Sequence, residues 1–88
     1  MNYNKKSALA DILELPKEII LNQAYITIIG NKQITIENYK NLIEYTTKLI
    51  RLNTANGKIK ITGDKLYMKE LTCEDVLIYG NIGTIEFI

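Results

Sequence analysis

From Tyr25 onward, apolar and polar side chains alternate almost residue by residue, a period of two that predicts strands with one face turned inward. Ile59 and Ile61 alternate with Lys58 and Lys60, placing two isoleucines on one face and two lysines on the other. Gly63-Asp64 then supplies a residue tolerant of positive φ, and beyond it Leu66 and Met68 alternate with Lys65, Tyr67 and Lys69, so a hairpin is expected at that point. Glu74-Asp75 and Gly80-Asn81 punctuate the rest of a strand meander over residues 58 to 88. Upstream, residues 25 to 29 and 33 to 37 form strand-like runs joined by Gly30-Asn31-Lys32, and residues 38 to 41 make a looser turn. Residues 42 to 46 and 49 to 54 give two more strands, the second ending at Ala55-Asn56-Gly57, the strongest short-range hairpin sequence in the chain.

Before Tyr25 the period changes. Leu9, Ile12 and Leu13 recur at helical spacing within residues 7 to 15, with Ser7 placed to cap and Pro16 to end the run. That short amphipathic helix is expected either to lie on the sheet as a lid or to dock a partner. An echo at an offset of 33 residues sets Ile26, Ile28, Gly30 and Lys32 against Ile59, Ile61, Gly63 and Lys65. Short strands, frequent turns and no intervening helices point to a mainly β domain spanning residues 1 to 88, with the meander at about 24 to 88. The expected form is a small antiparallel β-sandwich of about seven or eight strands, with a short β-solenoid as the alternative.

A chain of 88 residues buries only about 60 to 65% of its unfolded surface, so its stability margin is narrow and association would widen it. The formal net charge of +1, with lysines and acids interspersed, gives no electrostatic footprint for nucleic acid or an anionic bilayer. Lys58, Lys60, Lys65 and Lys69 make the nearest thing to a cationic face, and the six tyrosines are expected to pack across strands and not to stack bases. A polar opening from Met1 to Lys6 and the single Cys73 lead us to expect a reducing, cytoplasmic setting without a secretory leader. No apolar run reaches the roughly 20 residues of a membrane span.

The chain has no histidine and therefore no Ser/His/Asp or Cys/His arrangement. Cys73 precedes Glu74 and Asp75, whose charges disfavour a thiolate, and the two acids are adjacent in a turn where they would not converge on a metal. Gly30 and Gly63 stand singly and form no phosphate-binding loop. No catalytic, cofactor or metal residue is expected. The leading expectation is an interface, with a small-molecule-binding domain or enzyme of unknown substrate, built on a concave polar pocket, as the alternative: 76 to 79 is apolar without a break, and the end of the chain carries Glu86 as its sole charge. Such strands need cover on both sides, so Leu77, Tyr79, Ile85 and Phe87, with Leu9, Ile12 and Leu13, are the candidate contacts for a second copy or a protein partner.

The chain also resembles the YabP/YqfC family of sporulation proteins from endospore-forming bacteria. The likeness begins at Leu15 and is carried by Leu15-Pro16-Lys17, Ile29-Gly30-Asn31, Ile36-Glu37-Asn38 and Leu52-Asn53-Thr54. It continues through Gly57, Ile61, Gly63, Leu66, Lys69 and Leu71 to Gly80, Ile82 and Ile85-Glu86-Phe87. The resemblance implies a small β-sandwich-like protein without enzymatic activity, made in the mother cell during sporulation. It also implies a neighbouring YqfD-like membrane protein as partner, which would hold the chain at the forespore membrane surface. It carries no established site residues.

Overall fold

The computed structural model describes residues 22–88, so the helix expected over residues 7 to 15, and with it Leu9, Ile12 and Leu13, lies outside the described residues. Six strands follow one another: β1 (Tyr25–Ile29), β2 (Gln33–Glu37), β3 (Tyr39–Tyr45), β4 (Leu49–Thr54), β5 (Gly57–Leu71) and β6 (Asp75–Phe87). All pair antiparallel in a single sheet of order β1-β2-β6-β5-β4-β3. The described residues are thus mainly β and antiparallel as expected. They form one continuous sheet in place of two separate layers, and antiparallel pairing throughout leaves no room for a solenoid.

The strand boundaries of β1, β2 and β4 fall where the alternation puts them, because each is closed by a short turn with its own chemistry. Gly30 takes φ +55 in the β1–β2 turn. The other three hairpins each rest on a threonine hydroxyl that accepts backbone N–H bonds across its turn. Thr46 Oγ1 accepts from Lys48 and Leu49, Thr54 Oγ1 from Asn56, and Thr72 Oγ1 from Glu74 and Asp75, all between 2.9 and 3.2 Å. Cys73 is exposed in the last of these turns.

The hairpin expected at Gly63-Asp64 is not formed, nor does the chain turn at Gly80-Asn81. Both sites lie inside long strands, and the glycines serve close approach. A Cβ on Gly63 would sit 2.1 Å from the Asn81 carbonyl oxygen, and one on Gly80 2.7 Å from the Lys65 carbonyl oxygen. The residue in the left-handed region beside Gly63 is Lys65, at φ 53. There Lys65 and Leu66 together oppose Gly80, a β-bulge that bends both strands. A second bulge between the Thr62–Thr84 and Gly63–Ile82 pairs leaves Gly83 unmatched. Each bulge shifts the alternation by one residue, so the inward positions of β5 run Ile59, Ile61, then Leu66 and Met68.

The bends bring the two wings of the sheet together around one buried cluster, and within each wing a ladder runs on into a turn. The turn of hairpin β1–β2 sits on β6, with Gly80 N–H donating to Lys32 O at 3.0 Å and Ile82 N–H to Asn31 O at 2.8 Å. The turn of hairpin β3–β4 sits on β5 in the same manner, Gly63 N–H donating to Lys48 O at 3.1 Å and Leu66 N–H to Thr47 O at 2.7 Å. Ala24 N–H donates to Asn56 Oδ1 at 3.3 Å, tying the start of β1 to the β4–β5 turn in the other wing. Tyr39 and Tyr45 of β3 cross to the far end of β5, where the Tyr39 hydroxyl donates to Thr72 O at 2.6 Å and the Tyr45 hydroxyl accepts from Met68 N–H at 3.0 Å. The two halves of the 33-residue echo therefore occupy different settings: Gly30-Asn31-Lys32 reverses the chain, whereas Gly63-Asp64-Lys65 bends a strand that continues.

Between the wings lies one cluster of Ile34, Ile36, Ile50, Leu52, Ile59, Ile61, Leu66, Val76 and Ile78, none more than 2% exposed. Direct cross-strand pairs build it: Ile34 with Ile78, Ile36 with Val76, Ile50 with Ile61, and Leu52 with Ile59. β-Branched side chains fill such a pleated interior with little rotamer freedom to lose. No polar or charged side chain is buried among the described residues.

Candidate functional site

The four candidate contacts in β6 separate onto the two faces of the sheet. Leu77 and Tyr79 point outward, because Val76 and Ile78 between and beside them are buried. Past the Gly83 bulge the alternation has shifted, and Ile85 and Phe87 lie on the inward face, opposite Ile61 and Ile59. Leu77, Tyr79 and Ile85 are half-buried, whereas Phe87 is 74% exposed. The apolar end of the chain thus offers two distinct surfaces, an edge and a face.

The edge is the last half of β6. Lys58 and Ile88 exchange both backbone hydrogen bonds, at 3.2 and 2.9 Å. In an antiparallel ladder the next positions are then non-bonded pairs, so the N–H and C=O groups of Phe87 and Ile85 point away from β5. Among the described residues no strand lies on that side of residues 81 to 87. Beside this edge, Phe87 shares a hollow of about 170 Å³ with Ile26, Ile59 and Ala24.

The face is the outer surface of β1, β2, the first half of β6 and the last half of β5. At its upper end Lys32, Gln33, Lys65, Tyr67, Tyr79 and Asn81 line an open cleft of about 490 Å³. Lys32 Nζ donates to Asn81 Oδ1, which fixes one ammonium there. Tyr67 and Tyr79 are cross-strand partners with ring centroids 5.7 Å apart and planes at 76°, an edge-to-face pair. At its lower end Glu37, Glu70, Asp75, Thr35 and Leu77 line a second hollow of about 230 Å³. Gln33 borders both.

Electrostatics elsewhere are mild. Arg51 Nε donates to Glu44 Oε1 at 2.9 Å across β3 and β4, a half-exposed pair worth at most about 1 kcal/mol. Burial, and then the Glu37 carboxylate opposite it in the β1–β2 ladder, raise the Tyr25 phenol above its ordinary value. Among the described residues no three His, Cys, Asp or Glu side chains could hold a metal ion together, and no helix is long and apolar enough to cross a membrane. The cationic face expected from Lys58, Lys60, Lys65 and Lys69 is broken up: Lys60 sits between Arg51 and Glu86 in the ladder, and Lys69 is the unmatched residue of a third bulge.

Alternation alone puts Lys65 and Tyr67 in a strand, but nothing in the linear pattern joins them to Lys32, Gln33 and Asn81. Those five residues come from three strands and a turn, and only the β2–β6–β5 register assembles them.

Residues 21–88 match the model of the YabP family. Over 83 residues the chain is 28% identical to the uncharacterized protein YqfC of Bacillus subtilis (strain 168), covering 94% of this chain and 89% of that one.

Proposed function

The chain belongs to the YabP family, and from that premise we propose that it is a non-enzymatic interaction module acting in endospore formation. The sporulation setting comes from the sequence likeness described above. The observation that carries the interaction reading is the edge of β6 that the described residues leave unpaired, where outward backbone groups at Ile85 and Phe87 adjoin a ring that is 74% exposed and an Ile88 that is 67% exposed. An edge of that kind accepts a strand from another chain: main-chain hydrogen bonds supply affinity and the Phe87 hollow supplies specificity. The partner proposed is a membrane protein similar to YqfD, which would hold this chain on the mother-cell side of the forespore membrane.

Deletion of the gene is the test. Heat-resistant spore counts are expected to fall while vegetative growth is unchanged. Complementation with Phe87→Lys is expected to fail even though the variant protein melts cooperatively near the wild-type temperature, since Phe87 lies outside the buried cluster. Normal spore counts from a clean deletion refute the setting, and full complementation by Phe87→Lys refutes the edge.

A further inference from the structure

The outer face of β1, β2, β6 and β5 carries opposite charge at its two ends, and the ends are related by the ladder itself. In the β2–β6 register, Gln33 pairs with Tyr79 beside Lys32 and Lys65, and Glu37 pairs with Asp75 beside Glu70. Midway between these two pairs stands Thr35 opposite Leu77. Four residues of strand separate the basic pair from the acidic one, about 14 Å at roughly 3.4 Å per residue. A two-fold axis parallel to the sheet, running across the strands along the Thr35–Leu77 line and midway between two copies stacked face to face, would exchange the ends, setting the lysines of one copy against the carboxylates of another. A second copy of this chain fits that pattern, since an isologous contact requires a patch complementary to itself.

The chemistry of the middle agrees. Leu77 supplies apolar surface there, and Tyr79, Tyr67 and Ile29 extend it toward the basic end, with Tyr67 46% and Ile29 57% exposed. Thr35 adds a small side chain at the proposed axis. Among the described residues no acid lines the basic cleft and no lysine lines the acidic hollow, so neither end is neutralised by them. We propose that this face forms a symmetric homodimer in which Lys32 and Lys65 of each copy enter the hollow lined by Glu37, Glu70 and Asp75 of the other. Its strands are short, so the contact falls at the small end of specific interfaces and its affinity in the micromolar range. It is separate from the β6 edge, because Ile85 and Phe87 lie on the opposite face.

Sedimentation equilibrium of the 88-residue chain at low ionic strength, over about 10 μM to about 1 mM, tests the proposal. The wild type is expected to dimerise, and to dissociate as salt shortens the screening length from about 10 Å to about 3 Å. Lys32→Glu with Lys65→Glu is expected to be monomeric, as is Glu70→Lys with Asp75→Lys; an equimolar mixture of the two is expected to recover the dimer. All four positions are exposed, and a cooperative melt checks that each variant folds. A wild type that stays monomeric at the highest concentration overturns the proposal. So does a dimer indifferent to salt, or a mixture of folded charge-reversed variants that remains monomeric.

Discussion

Three glycines allow the cost of a crowded backbone to be separated from the cost of a left-handed one. Gly30 adopts φ +55, and a methyl group added there would have no heavy atom within 4 Å. Gly30→Ala therefore meets only the left-handed penalty of about 1–2 kcal/mol, partly offset by about 0.4–1 kcal/mol from a stiffer unfolded chain. A net loss of about 1 kcal/mol is expected. Gly63 has no positive φ, but its Cβ would stand 2.1 Å from the Asn81 carbonyl oxygen and 3.1 Å from Leu66 Cδ2. Relief requires β5 and β6 to part by more than about an ångström, since non-bonded contacts sit near 3.5 Å. Overpacking of about 1–3 kcal/mol and the weakened bond from Gly63 N–H to Lys48 O, about 1 kcal/mol, give an expected loss of about 3 kcal/mol. Gly80 combines both burdens, with φ +145 and a Cβ 2.7 Å from Lys65 O and 2.8 Å from Leu66 Cα, so Gly80→Ala is expected to lose about 4 kcal/mol. Domains of this size hold about 5–10 kcal/mol in total, so the last variant stands close to unfolding. Urea titration followed by far-ultraviolet circular dichroism measures all three on one scale. If Gly63→Ala loses no more than Gly30→Ala, the strands do not approach at this bend as described, and close approach is not the reason that β5 and β6 continue through their glycines.

Two further outcomes follow from side chains described above. Tyr45→Phe removes the acceptor for Met68 N–H; because the site is partly exposed, the loss is expected to be about 0.5–1.5 kcal/mol, with faster hydrogen exchange at the Met68 amide. Unchanged protection at that amide would refute the bond. The raised Tyr25 phenol keeps its proton in the folded chain after the unfolded chain has lost it, so its effect is nil below the ordinary value of 10.0 and stability falls as pH rises through and beyond that value. Urea midpoints between about pH 9 and about pH 11 are expected to fall less steeply in Tyr25→Phe than in wild type, and an equal slope would refute the assignment.

The short strands are legible in the sequence because alternation and turn chemistry agree at β1, β2 and β4. The long ones are not. Gly63-Asp64 and Gly80-Asn81 have the composition of turns, yet the same lack of a Cβ that permits a turn also permits two strands to touch, and only the distance from Gly63 to Asn81 O tells the cases apart. Threonines 46, 54 and 72 mark three hairpins by their hydroxyl bonds, a feature that the glycine and proline pattern leaves unread. The split of Leu77 and Tyr79 from Ile85 and Phe87 turns on one unmatched residue, Gly83, and a single-residue shift in pairing is invisible to a pattern of period two. The charged ends of the outer face were hidden for a related reason: Lys32 and Lys65, like Glu37 and Glu70, are far apart in sequence and meet through β6.

β6 is the last of the six described strands to be synthesised and one of the most central in space, lying between β2 and β5. Ile34 and Ile36 must therefore wait for Ile78 and Val76, about forty residues downstream, before they have a partner on that side. On the ribosome the chain passes through a stage in which hairpin β1–β2 and the group β3–β4–β5 exist without β6 between them, so that β2 and β5 are open edges in addition to β1 and β3 and nothing connects the two through the sheet. At the elongation rates of a cell, about 5–20 residues per second, that interval lasts on the order of a second, long enough for stray strand pairing between nascent chains. Non-local pairing of this kind also slows closure once the whole chain is free. The position of β6 thus makes folding a late, all-at-once event, and this chain depends on its last thirteen strand residues for the existence of its interior and not merely for its completion.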